Sequence, residues 1–329
     1  MARWCGVVCL VLLAVAMVSA GREVATDAWA AMAVVSATEW LGLVALWMLW
    51  TALRAAVQRW SLPAVAPRAA LLMSEAGEAA NWFPASSLGS FAVRTSLGRA
   101  HGLATGSLVM AFVLVSEALA TGLWLLVGAA ALYDLQRGSA DSWDRAGLIG
   151  AAVGVGITVL GAWVIVSTHR ATDRFVRALV RVQGRVARRW QRAATVDLTR
   201  AIDDARTATA ALLRKRGVAL VVAGAAVHVV AGTIFWLALR SLGAPVDWVP
   251  TLALYLPVKA AIGFSPTPGG VGFAEAGLVG VLVSAGVALD QAVAAVAIYR
   301  LFTAFAPLLT GSAVGVWWLR RSAGEAASS

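Results

Sequence analysis

The sequence predicts an all-α polytopic integral membrane protein with about six full spans and two re-entrant helical hairpins. Three observations carry that expectation. Of 329 residues, 60% are apolar and 13% charged, whereas a soluble domain runs nearer half apolar and a quarter charged. Several apolar runs reach the roughly 20 residues a helix needs to cross the hydrocarbon. Two further apolar stretches are broken in the middle by Pro and Gly. Such a composition excludes an ordinary soluble enzyme.

On the length criterion the full spans fall at about 4–20, 29–53, 103–132, 146–167, 217–240 and 292–319. The first run also has the form of a signal peptide, with Arg3 before the apolar stretch and Val18-Ser19-Ala20 as a small-residue cleavage site. Its two cysteines, Cys5 and Cys9, suit neither a disulfide framework nor a zinc site.

Loop charges orient these spans. The formal net charge is +10, and residues 168–216 hold 13 Lys or Arg against 4 Asp or Glu, a net +9. Arg54, Arg59 and Arg68 follow the second span, and Arg320 and Arg321 follow the last. By the positive-inside bias these ends, and both chain termini, are cytoplasmic in the cell membrane. Acidic loops at 133–145 and 241–247 lie outside. The natural counter-ion of the basic loop is an anionic lipid headgroup, not nucleic acid. Within it Arg170, Arg174, Arg177, Arg181, Arg185, Arg188 and Arg192 recur every three or four residues and form one helical stripe. Leu198, Ile202, Ala205, Thr209 and Leu212 make a weaker second stripe, which suggests a helical hairpin within one continuous membrane domain spanning the chain.

The broken segments are residues 68–100, interrupted at Asn81-Trp82-Phe83-Pro84-Ala85-Ser86-Ser87-Leu88-Gly89, and residues 248–289, interrupted at Ser265-Pro266-Thr267-Pro268-Gly269-Gly270-Val271-Gly272. The first has both ends inside and the second both ends outside. A chain that turns back within a bilayer leaves backbone groups unpaired, which is tolerated only inside protein or along a watery cavity. Each broken segment sits between two full spans, and the two units start on opposite faces. That is the layout of an inverted repeat, in which interrupted segments mark the substrate site.

Ionisable residues inside apolar stretches are candidates for function, because a charge at that depth is costly. Here they are Glu39, Glu75, Glu78, Arg94, Glu117, Lys259, Glu275 and Arg300, with His228 as a titratable addition. Helices starting after Gly89 and Gly272 would point free N–H groups at a phosphate, while Pro84 and Pro268 stop the preceding arms and Gly269 and Gly270 let backbone approach a ligand. Arg94 has the geometry to hold a phosphate bidentately, and Glu275 is placed to pair with Arg300 or a cationic headgroup. No Gly-x-Ser-x-Gly, His-Glu-x-x-His or P-loop pattern occurs. The expectation is therefore a transporter and not an enzyme, with no cofactor and no metal.

Pro266-Thr267-Pro268-Gly269-Gly270-Val271-Gly272-Phe273-Ala274-Glu275, followed by Tyr299-Arg300, resembles the signature of the flippase-like family, the lysylphosphatidylglycerol synthase transmembrane region. Asn81-x-x-Pro84-x-x-x-x-Gly89 with Arg94 is similar to that family's first motif. The resemblance runs from roughly Trp29 to Arg321, with departures at Ser90, Ala118 and Ala274. It implies a protein that moves lipids between leaflets, such as aminoacyl-phosphatidylglycerol or polyprenyl-phosphate-linked glycans. Asn81, Pro84, Gly89, Arg94, Pro268, Gly269, Gly270, Gly272, Glu275 and Arg300 are the candidate substrate-binding residues. The other reading is a non-transporting scaffold subunit for an envelope glycosyltransferase or lipid-modifying enzyme.

Overall fold

A computed structural model describes residues 30, 32–82, 86–136, 142–167, 198–263, 265 and 267–327. The first apolar run, the arginine stripe and Pro84 lie outside the described residues. Among the described residues every regular element is helical, and four helices are long and apolar enough to cross a membrane: Ala37–Ser61, Thr105–Gln136, Thr209–Ser241 and Leu289–Trp317.

Helix α1 (Ala37–Ser61) opens on a capping box. The Glu39 backbone N–H donates to the Ser36 hydroxyl at 3.3 Å, and the Ser36 backbone N–H donates to the Glu39 carboxylate at 2.8 Å. Glu39 is thus accounted for as a helix cap and not as a functional group within an apolar run. The helix also continues past Arg54, which the apolar pattern alone places in a cytoplasmic loop. Arg54 is 6% exposed, and two carboxylates of the next helix hold it there.

Helix α2 (Pro67–Ala80) and helix α3 (Ser86–Ala100) flank the first break, and helix α4 (Thr105–Gln136) follows. Helix α5 (Ser142–Ser167) covers the stretch expected as the fourth span, with its apolar part at Gly147–Leu160 shorter than the four helices above. Helix α6 (Leu198–Ser241) is one continuous 44-residue helix, joining the second loop stripe to the span at 217–240. Gly217 stands at their junction, and a single interior glycine costs about 1 kcal/mol, too little to end so long a helix.

Helix α7 (Trp248–Ile262), a 3₁₀ turn (Pro268–Gly270) and helix α8 (Phe273–Ser284) make up the second broken segment. The last expected span is not one regular helix. It comprises helix α9 (Leu289–Arg300), a π-turn (Leu301–Phe305) and helix α10 (Ala306–Ala327). Pro307 lacks an N–H and crowds the preceding turn, and the wider π geometry just before it accommodates that defect.

The four helices beside the breaks have 14, 15, 15 and 12 residues, all short of the roughly 20 needed to cross the hydrocarbon. Their packing is reciprocal. The first short helix of each broken segment takes the last helix of the other unit: α10 packs on α2, and α4 packs on α7. The opening helices α1 and α6 pack on each other. Around α6, α7 and α9 the core is aromatic, with Phe235 edge-on to Tyr299 and the Tyr255 and Tyr299 hydroxyls 3.1 Å apart.

Small residues bring α4 and α6 together. A Cβ on Gly122 would collide with the backbone of Gly224 and Ala225, and one on Gly224 with the Ala118 carbonyl. Close backbone approach of this kind drives helix association in lipid, where apolar burial contributes little. Gly224→Val is expected to lower stability by about 1–3 kcal/mol, read as a lower Tm of the purified protein in detergent.

Candidate functional site

The two breaks meet. Asn81 and Trp82 from the first, and Gly263, Ser265, Thr267, Gly269 and Gly270 from the second, line one cavity of ≈350 Å³. Helices α1, α6 and α9 complete its walls with Trp50, Arg54, His228, Tyr299 and Arg300, among others. That volume lies at the lower end of the range for small-molecule sites, roughly 300–1,000 Å³.

On the first side, Arg54 is anchored by α2. Its Nη2 donates to Glu78 Oε2 at 2.9 Å, and its Nη1 lies 3.6 Å from Glu75 Oε1. The guanidinium also covers the Trp50 ring at 4.4 Å. Glu75 accepts a further bond from the Thr310 hydroxyl at 2.8 Å, which ties α10 to α2. Gly311 makes that approach feasible, since a Cβ there would strike the Glu75 carbonyl. Asn81, directly after α2, donates from Nδ2 to Glu78 Oε2 at 3.3 Å.

Gly89 and Arg94 occupy positions other than those expected. Helix α3 begins at Ser86, so Gly89 lies one turn inside it and offers no open N–H. Its small size instead lets α3 approach α2, with a Cβ there coming 3.2 Å from the Ala80 carbonyl. Arg94 does not line the cavity. It is buried behind α2, where its Nη1 donates to Gln58 Oε1 at 2.9 Å and Gly77 leaves room for its stem.

On the second side, Gly269, Gly270 and Gly272 all take positive φ, at 63°, 70° and 80°, a region that residues with a Cβ enter only at a cost. The resulting turn aims the Gly270 carbonyl and the Gly272 N–H at one pair of side chains. Arg300 donates from Nε to Glu275 Oε1 at 2.6 Å and from Nη2 to the Gly270 carbonyl at 3.3 Å. The Gly272 N–H donates to Glu275 Oε2 at 2.7 Å. Glu275 therefore pairs with Arg300 as the spacing suggests, but it also occupies the Gly272 N–H that the sequence pattern leaves open for a phosphate. Pro268 starts the 3₁₀ turn.

Trp82 joins the two sides, and sequence reasoning missed it. A Cβ on Gly269 would lie 3.0 Å from the Trp82 ring, and the Arg300 guanidinium sits 5.5 Å from that ring's centroid. An indole beside Asn81 within a Pro/Gly break was the available signal. Arg54 was missed as a site residue because it follows an apolar run, where arginine ordinarily marks a span's end. Of the remaining ionisable residues within apolar stretches, Lys259 and His228 line the cavity, while Glu117 does not. Among the described residues no cluster suits a metal ion.

The model of the lysylphosphatidylglycerol synthase TM region matches residues 6–311 of this sequence. The chain belongs to that family. Comparison with curated proteins returned no match. Membership in the lysylphosphatidylglycerol synthase TM family, with the long apolar helices, makes this a helical membrane protein of lipid-related function. Asn81 of the first motif and Thr267, Gly269, Gly270, Tyr299 and Arg300 of the second line the cavity, and the second carries the Arg300–Glu275 pair.

Proposed function

We propose that the chain is a lipid translocase, not an enzyme, which binds an anionic phospholipid or lipid-linked headgroup between the two breaks and presents it to alternate leaflets. The carrying observation is the shared cavity, where both interrupted segments supply polar groups beside Arg54 and Arg300. Ionisable side chains at membrane depth are costly and concentrate on substrate pathways. In this reading α2–α3 and α7–α8 are re-entrant hairpins from opposite faces, accompanied by about six full spans in the cell membrane. The reciprocal packing of α10 on α2 and α4 on α7 supports an inverted repeat, the architecture that places a site at the repeat interface.

The test is transbilayer movement of a fluorescent-acyl anionic phospholipid in liposomes containing the purified chain. Movement above protein-free liposomes supports translocation. A folded protein that moves no lipid but co-purifies with an envelope glycosyltransferase or lipid-modifying enzyme favours the scaffold reading. Orientation has its own expected outcome. In a background lacking Cys5 and Cys9, an impermeant thiol reagent added to intact cells should label Ser139→Cys but not Thr195→Cys or Ser322→Cys. Labelling at position 195 would reverse the topology.

A further inference from the structure

The charges around the cavity pair off, with one left over. Arg54 is in direct contact with both Glu75 and Glu78, and Arg94, buried behind α2 and outside the cavity lining, is close enough for its charge to act on the same two carboxylates. Arg300 stands against Glu275. Those six groups carry no net charge. Lys259, in the last turn of α7, lines the same cavity and is half-buried. Among the described residues it makes no hydrogen bond and no ion pair, although its charge is close enough to act on Glu78 and His228. A cation suits the C-terminal end of a helix, but this one shares its cavity with two arginines, and both arginines already have carboxylate partners.

We infer that Lys259 is the counter-ion of the ligand's phosphate, and that the ligand is a lipid whose phosphate is a diester with one negative charge and no cation of its own. The inference rests on the lipid-binding reading above. One negative charge neutralises the site. A diphosphate or a phosphate monoester brings additional charge with no free cation to meet it. A zwitterionic or aminoacylated headgroup brings an ammonium beside Lys259, Arg54 and Arg300, and like charges in a partly buried site repel. A lysine ammonium suits this role as a compact point charge that needs no fixed fork geometry. The Trp82 ring, partly exposed, adds an apolar wall to the same cavity. Phosphatidylglycerol and polyprenyl phosphoglycosides share this chemistry.

The experiment uses the full chain and two readouts. Native mass spectrometry measures retention of phosphatidylglycerol against phosphatidylcholine, and reconstituted vesicles measure translocation of the same two lipids with fluorescent acyl chains. Wild-type protein is expected to prefer phosphatidylglycerol by about tenfold in both. Lys259→Met should abolish that preference at an unchanged Tm, and Lys259→Arg should retain it. A short-chain polyprenyl phosphoglycoside that displaces phosphatidylglycerol, where its diphosphate counterpart does not, would point to the polyprenyl source; failure to displace it would point to the glycerophospholipid. If Lys259→Met folds and keeps the preference, the counter-ion assignment is wrong even where translocation stands. If the preference depends on Lys259 but nothing crosses, the assignment stands and the translocation reading fails. A wild-type protein with no preference overturns the inference.

Discussion

Arg54→Met is expected to be the most damaging single substitution in the first half of the chain. It would leave Glu75 and Glu78 facing each other on α2 with their 3.6 Å and 2.9 Å partner gone. Removing one member of a buried ion pair costs about 3–5 kcal/mol, chiefly because the remaining charge has lost its compensation. The loss would appear as a large drop in Tm in detergent or in the yield of folded protein. The double variant Arg54→Met with Glu78→Gln removes one charge of each sign and should recover much of the stability. If the single variant melts like wild type, the pair is not structural and Arg54 is free to meet a ligand.

Glu275→Gln is expected to have the largest effect on function relative to its effect on folding. The Glu275 side chain is 36% exposed, against 6% for Glu75, so solvent screens much of the lost charge and the Tm should fall less than for Arg54→Met. The carboxylate nevertheless holds two things at once, the Arg300 guanidinium and the Gly272 N–H. A glutamine cannot accept from both with charge assistance, and bonds of that kind are roughly twice as strong as neutral ones. Translocation is expected to fall by about tenfold or more, measured in liposomes alongside melting in detergent. Wild-type translocation by this variant would make the second motif structural and favour the scaffold reading.

What the sequence disclosed about the site follows the kind of signal each residue leaves. Both breaks were legible because Pro and Gly act locally: α2 ends at Ala80 and α7 at Ile262, beside the predicted interruptions. The Glu275–Arg300 pair was legible because each residue is anomalous in an apolar run. Arg54 was anomalous in the same way, but it stands at the point where a span of ordinary length would finish, and only the carboxylates of α2 reveal that the helix carries it inside. Arg94 gave the converse error. Its distance from the break is correct for a ligand residue, yet which face of α3 it occupies depends on where that helix starts. The start lies at Ser86, not after Gly89, so the side chain turns toward Gln58.

The π-turn at Leu301–Phe305 has a geometric consequence for how one stretch of chain serves both breaks. Gly311 follows Arg300 by eleven residues, which in an uninterrupted α-helix returns to within about 20° of the same direction. Two side chains so aligned would address one neighbour. Here Arg300 addresses Glu275 on α8, while Gly311 lies against Glu75 on α2. The i→i+5 turn inserts the equivalent of one extra residue and so indexes everything after it by roughly a quarter of a revolution. The final helix thereby works as a keyed shaft with its two keys cut at different angles, one for each half of the molecule. Removing a single residue between Leu301 and Phe305 would leave regular α-helix with the two keys ten residues apart, about 80° short of three full turns, so their angle would survive. Keeping every residue but forcing regular α geometry would bring them back into line and seat the chain in one half at the expense of the other.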